Sequence, residues 1–180
     1  MYYYLVASLP LLAYDAERFW TPEQLLYACR NQLSAPDERL VTAARLQDWG
    51  PVHPSCPALE GWRAWELTLR SELAALRAKR RGGESARPLS ESPGVPAAQA
   101  VARGAFAEAD PLAAEEMLDR ARWAVLDDLE AGHHFDINNL VVYHLRLQLL
   151  RRRSLRQAAR GAEGFTASFG QITKPIYGSG

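Results

Sequence analysis

The most informative part of this sequence for its fold is Ile137–Leu150, which reads INNLVVYHLRLQLL. On a helical wheel its apolar side chains occupy most of the circumference, and only His144, Gln148 and Arg151 form a continuous polar strip. A helix that is apolar on almost every side is usually covered by other elements from several directions. The stretch therefore predicts a central helix, which we expect to end at Gly161.

Capping and breaking residues place two shorter helices in the first part of the chain. Thr21–Gln24, with the sequence TPEQ, is a capping box with proline at the first helical position. Ser34–Asp37, with the sequence SAPD, begins a second helix, which we expect Gly50-Pro51 to end. The first nine residues are less decided, because either a short strand or a first buried helical turn fits their aromatic and apolar sequence.

The stretch from Ala58 to about Arg80 has the clearest helical pattern. Its apolar residues form a narrow stripe, which is typical of packing against one other helix. They are Trp62, Trp65, Leu69, Leu73 and Leu76. Glu66 and Arg70 stand four residues apart in the order that favours an ion pair, and we expect them on the solvated face.

A loop and two further helices precede the central one. Residues 82–96 predict a flexible loop because they are rich in glycine, proline and serine. Ala97–Ala109 predicts a weakly amphipathic helix, and Asp110-Pro111 caps a helix that stops at Gly132. On that last helix Trp123 points away from the apolar face, which indicates a contact with another part of the chain or with a partner. The predicted buried face consists of Ala114, Leu118, Ala121, Val125 and Leu129.

Together these elements predict an all-α fold, a bundle of about five to six helices. Residues 1–160 are expected to form a single helical domain, and residues 161–180 a C-terminal tail. Phe165, Phe169, Ile172 and Tyr177 are candidate docking points in that tail.

Composition excludes several classes of protein. The 180 residues include 21 Lys+Arg and 21 Asp+Glu, and this balance argues against a nucleic-acid binder. Two cysteines, Cys29 and Cys56, are too few for a disulfide framework and favour a reducing compartment. The apolar N-terminus has no basic region and is too short to span a bilayer, so we expect a cytoplasmic protein without direct membrane insertion.

Short catalytic signatures are missing from the sequence. It has no phosphate-binding loop, no Gly-x-Ser-x-Gly elbow and no His-Glu-x-x-His pair. A zinc site could be assembled from His53 and Cys56 with His133 or His134, but a helix-to-helix turn is the commoner reason for adjacent histidines. Cys29 lies on an apolar face, as a buried hydrophobe does. We therefore expect no catalytic residues, no cofactor and no metal.

The balanced net charge hides a segregation along the chain. Residues 108–130 carry eight acids against Arg120 and Arg122, whereas residues 146–160 carry six arginines and no acid. Either an acidic neighbouring helix or an acidic partner would explain this pattern. The residues that we expect to bind a partner are Trp123, Arg146, Arg151, Arg152, Arg153, Arg156 and Arg160.

Several segments resemble a bacterial protein family encoded beside the subunits of V-type (archaeal-type) ATPases. The strongest are Gly132–Asp136 (GHHFD), then Asn139-Leu140, and Tyr143–Arg152 (YHLRLQLLRR). Weaker ones are Tyr2–Pro10 (YYYLVASLP), Cys29–Asp37 (CRNQLSAPD), Trp65-Glu66 with Leu69-Arg70, and Arg122-Trp123. The matching residues are scattered from residue 2 to about residue 165.

This resemblance implies an all-helical protein similar to a divergent central-stalk C (eukaryotic d) subunit, which has no catalytic residues. That subunit is generally longer and has three helical repeats, whereas no repeat is evident here. The expectation is a non-catalytic subunit or assembly factor of a V-type ATPase, cytoplasmic or peripheral at the membrane through the complex, with ATPase subunits as partners. The alternatives are a helical chaperone or adaptor that uses a groove lined by Trp62 and Trp65 or by the tail aromatics, and a metal-dependent enzyme.

Overall fold

A computed structural model describes residues 1–47, 56–82 and 93–173, with side chains as far as Arg160. These residues form seven α-helices and no strand, which confirms the all-α prediction with one helix more than the expected five to six. The helices are α1 (Tyr3–Ser8), α2 (Pro22–Cys29), α3 (Ala35–Ala43), α4 (Pro57–Arg80), α5 (Pro96–Ala107), α6 (Pro111–Glu130) and α7 (Ile137–Thr173).

Helix α7 is the central element, as its sequence predicts. Every residue from Asn138 to Leu147 is buried, including the whole apolar run that begins at Leu140. Helices α2 and α3 cover one side of α7, and α4 and α6 cover the others. Because its apolar side chains point in all directions, α7 has to be enclosed in this way.

Helix α7 does not end at Gly161, and that prediction is wrong. The helix continues to Thr173. A glycine within a helix lowers its stability by about 1 kcal/mol relative to alanine, but it keeps its backbone donor and acceptor and does not force the helix to stop. The candidate docking residues of the tail, from Phe165 onward, lie outside the residues whose side chains are described.

The N-terminal segment forms a short helix, so the strand alternative is wrong and the helical turn is confirmed. Leu5 of α1 is buried, and the backbone N–H of Tyr2 donates a hydrogen bond of 2.7 Å to the carbonyl of Phe135. No strand lies beside this segment in the described part of the chain. A helix satisfies its backbone groups internally, which a lone strand cannot do.

Helix α4 packs against three helices, α5, α6 and α7, rather than against a single partner. Trp62 and Trp65 are buried and stack with their ring centroids 6.1 Å apart. Gly61 lets α6 approach closely, because a Cβ there would lie 2.6 Å from Cδ2 of Leu129. The prediction that α4 packs against one other helix is therefore wrong.

Three helices begin at their predicted capping residues, whereas α3 does not end at the residues predicted to stop it. Thr21 forms the predicted capping box, and the side chains of Ser34 and Asp110 cap α3 and α6. Helix α3 ends at Ala43, well before the expected stop at Gly50-Pro51, which lies outside the described residues together with residues 83–92 of the predicted loop.

Gln148 of α7 accounts for the early end of α3. Its amide nitrogen donates to the carbonyl of Ala44 at 2.8 Å, and its amide oxygen accepts from the backbone N–H of Leu46 at 3.2 Å. These two bonds replace the bonds that a longer helix would have made. None of the described helices has the length and apolarity needed to cross a bilayer.

The turn between α6 and α7 depends on a left-handed glycine, because Gly132 has φ +83°. We predict that Gly132→Ala lowers the free energy of unfolding by about 1 kcal/mol, since alanine disfavours this conformation. Gly104→Ala is the control, because Gly104 is helical and a Cβ there meets only Met117 Sδ at 3.5 Å. It should raise stability by about 0.5–1 kcal/mol in the same urea titration, and a loss equal to that of Gly132→Ala would contradict the explanation.

Candidate functional site

The acidic and basic segments predicted from the sequence face each other across the interface between α6 and α7. Arg152 pairs with Glu115 at 2.9 Å, and Arg156 pairs with both Glu115 and Asp119. Nearer the turn, Arg146 lies 2.5 Å from Asp127 and 2.6 Å from Glu130. An acidic neighbouring helix thus explains three of the six arginines of this segment, Arg146, Arg152 and Arg156.

A buried ion network joins α4 to α6. Arg122 donates two bonds of 3.0 Å to the carboxylate of Glu66 and one of 3.1 Å to Asp119. Glu66 and Asp119 are each 1% exposed, so the prediction that Glu66 lies on a solvated face is wrong. Burial alone would lower the pKa of Arg122, but hydrogen bonds and charge from Glu66 and Asp119 raise it above its usual value.

This network continues to the surface. Asp119 also binds Arg156 of α7, and Glu66 accepts a bond of 2.9 Å from Arg70. Four arginines therefore share three carboxylates at this end of the molecule. The arginines are Arg70, Arg122, Arg152 and Arg156, and the carboxylates belong to Glu66, Glu115 and Asp119.

Trp123, which was predicted to contact either another part of the chain or a partner, contacts other residues of the chain. The guanidinium of Arg146 lies 5.4 Å from the centre of its ring, and Tyr14 packs edge-on against it at 5.7 Å. Tyr14 is itself held between Arg120 and Arg153, each 4.9 Å from its ring centre. Arg153 also donates a bond of 2.7 Å to the carbonyl of Tyr14. Trp123 and Arg153 therefore fix the segment between α1 and α2 against the bundle.

The polar strip of α7 faces α2 and α3. His144 is 4% exposed, and its Nδ1 lies 2.7 Å from the carbonyl of Val41, to which it must donate. Burial lowers the pKa of His144, so the ring is neutral near pH 7 and its Nε2 is an acceptor. Arg151 lies 2.5 Å from Glu23 of α2 in an exposed pair.

Beside this strip, α2, the C-terminal end of α3 and α7 line an open groove of about 600 Å³. Its walls carry four guanidinium groups and one carboxylate, which belong to Arg45, Arg151, Arg152, Arg156 and Glu23. Its apolar lining includes Leu26 and Leu46, and Leu155 is 64% exposed. We call these surfaces together the basic groove. It can accommodate an extended anionic ligand with apolar groups.

The basic groove contains three of the seven residues that sequence predicts to bind a partner, Arg151, Arg152 and Arg156. Trp123, Arg146 and Arg153 lie elsewhere in intramolecular contacts, and Arg160 is exposed beyond the groove. That these seven residues bind a partner stays a prediction. Sequence reasoning missed Leu26 of α2 and Arg45 and Leu46, which follow α3, because only packing brings these residues beside α7.

Of the candidate catalytic and metal-binding residues, the structure brings Cys56 and His133 to the two ends of one side-chain amide, that of Asn138. Cys29 is fully buried, and burial raises the pKa of its thiol to about 11. Cys56 is also buried, with its sulfur 3.3 Å from Asn138 Oδ1. His133 lies 2.6 Å from Asp136, and His53 falls outside the described residues. No group of three or more metal-ligating side chains is found among the residues that the structure describes.

Comparison with protein-family models, with curated proteins and with solved structures found no match for this chain.

The buried network gives a stability prediction. Arg122→Met leaves Glu66 and Asp119 buried without their common partner, and we expect a loss of about 3–5 kcal/mol in the free energy of unfolding. Arg120→Met, two residues away, removes only an exposed pair with Glu116 and a ring contact with Tyr14. It should cost about 1 kcal/mol or less in the same urea titration. Equal losses in the two variants would contradict the role assigned to Arg122.

The lowered pKa of His144 predicts that the stability of the fold depends on pH. Because its pKa is lowered in the folded state from the ordinary value of 6.5, the unfolded chain binds a proton more readily. His144 therefore contributes stability above pH 6.5, which is lost as the pH falls through 6.5 toward the folded pKa. In His144→Asn, whose amide can still donate to Val41, the decline in urea stability between about pH 7 and pH 5.5 should be smaller than in the unmodified chain. An unchanged decline would exclude His144 as its source.

Proposed function

We propose that this chain is a non-catalytic subunit or assembly factor of a V-type ATPase, and that it acts through helix-mediated contacts with other subunits. The observation that carries the proposal is the position of the segments that resemble the ATPase-associated family. Gly132–Asp136 forms the turn before α7, and Tyr143–Arg152 covers the middle of α7. Residues of a central helix constrain the whole fold, so a resemblance there bears on overall architecture.

The chemistry of the buried ionisable residues supports a non-catalytic role. The thiol of Cys29 is protonated at neutral pH, and a protonated, buried thiol is a poor nucleophile. His144 uses Nδ1 to hold the carbonyl of Val41, and Arg122 is held by two carboxylates. His144 and Arg122 therefore each have structural partners that account for their presence.

The surface supports a role in protein contacts. The basic groove combines guanidinium groups with exposed leucine, and charged and apolar groups of this kind are what protein partners contact at an interface. We propose that the protein works at the cytoplasmic side of the membrane and reaches the membrane only through the ATPase complex.

The burial of the tryptophan stripe weighs against the chaperone alternative. Trp62 is 0% exposed and Trp65 is 4% exposed, so neither can line a groove for a client protein in the folded chain. An adaptor that used this stripe would have to open the contacts of α4 with three other helices. The ATPase-associated role needs no such opening, and it is therefore the better supported of the two.

The proposal is tested by co-purification. The full chain, tagged at its N-terminus, is expressed in bacteria that carry V-type ATPase genes, and the proteins bound to it are identified by mass spectrometry. We expect V-type ATPase subunits to be enriched over a pull-down with an unrelated tagged helical protein. Recovery of none of them, from both soluble and detergent-solubilised fractions, would overturn the proposal. A subunit should be recovered with the intact complex, and an assembly factor only with partial complexes.

A further inference from the structure

We propose that the basic groove binds an acidic, amphipathic segment of a partner protein, with carboxylates on its arginines and an apolar side chain against Leu155. This inference deepens the proposed function by naming the surface and the chemistry of the partner. It can be tested without any ATPase subunit.

The charges of the groove favour an acidic occupant. Its lining contains four arginines and one glutamate, a formal excess of three positive charges with His144 neutral. Glu115 and Asp119 reduce this excess because they pair with Arg152 and Arg156, while Glu66 takes two bonds of the buried Arg122. Arg151 and Arg152 each pair through a single nitrogen, and a ligand that brings carboxylates can bind further N–H groups of these guanidiniums.

One of the internal pairs can be exchanged for a pair with the partner. In the ion pair of Arg151 with Glu23, the two side chains are 53% and 66% exposed. Exposed pairs of this kind contribute little stability, typically up to about 1 kcal/mol. A carboxylate of a partner can therefore take the place of Glu23 without unfolding any element of the groove.

The apolar surface favours a peptide segment over a simple anion. Leu155 is 64% exposed on α7, one turn after Arg151, and Leu26 and Leu46 lie on the opposite wall. An apolar side chain placed between these leucines would be removed from water while flanking carboxylates reach the arginines. Polar groups on the floor, in His144 and Gln148, already bond to the backbone of α3 and its end, so they add little to recognition.

The charge pattern of the groove disfavours a membrane surface as its occupant. Glu23 stands in the lining among the arginines, and its side chain is 66% exposed. A flat anionic bilayer would meet this carboxylate together with the arginines, whereas a peptide can place its acids selectively. Binding to anionic vesicles is therefore an outcome that counts against the proposal.

Binding is measured by fluorescence anisotropy with the full chain and a labelled helical peptide of about 15 residues, in which leucines on one face are flanked by glutamates. The matched probes replace every glutamate by glutamine or by lysine. We expect the glutamate peptide to bind at least about tenfold more tightly than the glutamine peptide. Its affinity should fall steeply between about 50 and 500 mM NaCl.

Two pairs of variants locate the binding surface. Thr42→Glu places a carboxylate in the lining, whereas Ala43→Glu places the same charge on the next residue of α3, which does not line the groove. Leu155→Ala removes the exposed apolar side chain, and Leu11→Ala removes a leucine that is 98% exposed elsewhere. We expect Thr42→Glu to weaken binding about tenfold and Leu155→Ala about fivefold, with little change in either control.

Three results would overturn the inference. The first is equal or undetectable binding of the glutamate and glutamine peptides, and the second is an equal effect of Thr42→Glu and Ala43→Glu. The third is binding to vesicles of phosphatidylcholine and phosphatidylserine with no binding of the acidic peptide. Circular dichroism of each variant establishes that it is folded. The inference and the proposed function fail separately, because the titration contains no ATPase subunit and the pull-down does not depend on the groove.

Discussion

Burial of α7 from Asn138 to Leu147 dictates where the surrounding helices must lie. A helix that is apolar on all sides loses its stability unless neighbours exclude water from each side. The few polar residues on it must then find partners inside the protein, because an unpaired buried polar group costs about 1–3 kcal/mol. His144 finds a backbone carbonyl of α3, Gln148 caps the end of α3, and Arg146 reaches two acids of α6. These bonds fix the positions of the helices that cover α7.

The same constraint explains the distribution of charge. Arginines on α7 that face α6 meet its acids, and the buried Arg122 ties α6 to Glu66 of α4. The zero net charge thus conceals an acidic segment and a basic segment that pair within the fold. On the side of α7 that faces α2 and α3, fewer acids lie opposite its arginines, and the basic groove is located there. This asymmetry leaves one surface rich in arginine, which we propose as the binding site for an acidic segment of a partner.

Local signals in the sequence predicted most helices and their starts. Thr21, Ser34 and Asp110 cap helices as their residue types indicate, and Gly132 ends α6 because it can adopt a left-handed conformation. Helix ends that depend on distant residues were not predictable in this way. Ala43 is the last residue of α3 because Gln148, more than a hundred residues later, takes its next hydrogen bonds.

Periodicity, capping and charge order are local properties, and they sufficed to predict an all-α protein with α7 at its centre and with segregated charges. Packing in three dimensions was needed to establish which charges pair and which face outward. Glu66 stands in a pattern typical of a solvated helix face, yet it is buried because Arg122 approaches it from another helix. The basic groove has the same origin, since Arg45 and Arg151 meet only when α3 packs beside α7. Contacts between residues far apart in the chain depend on packing, and no spacing within one helix specifies them.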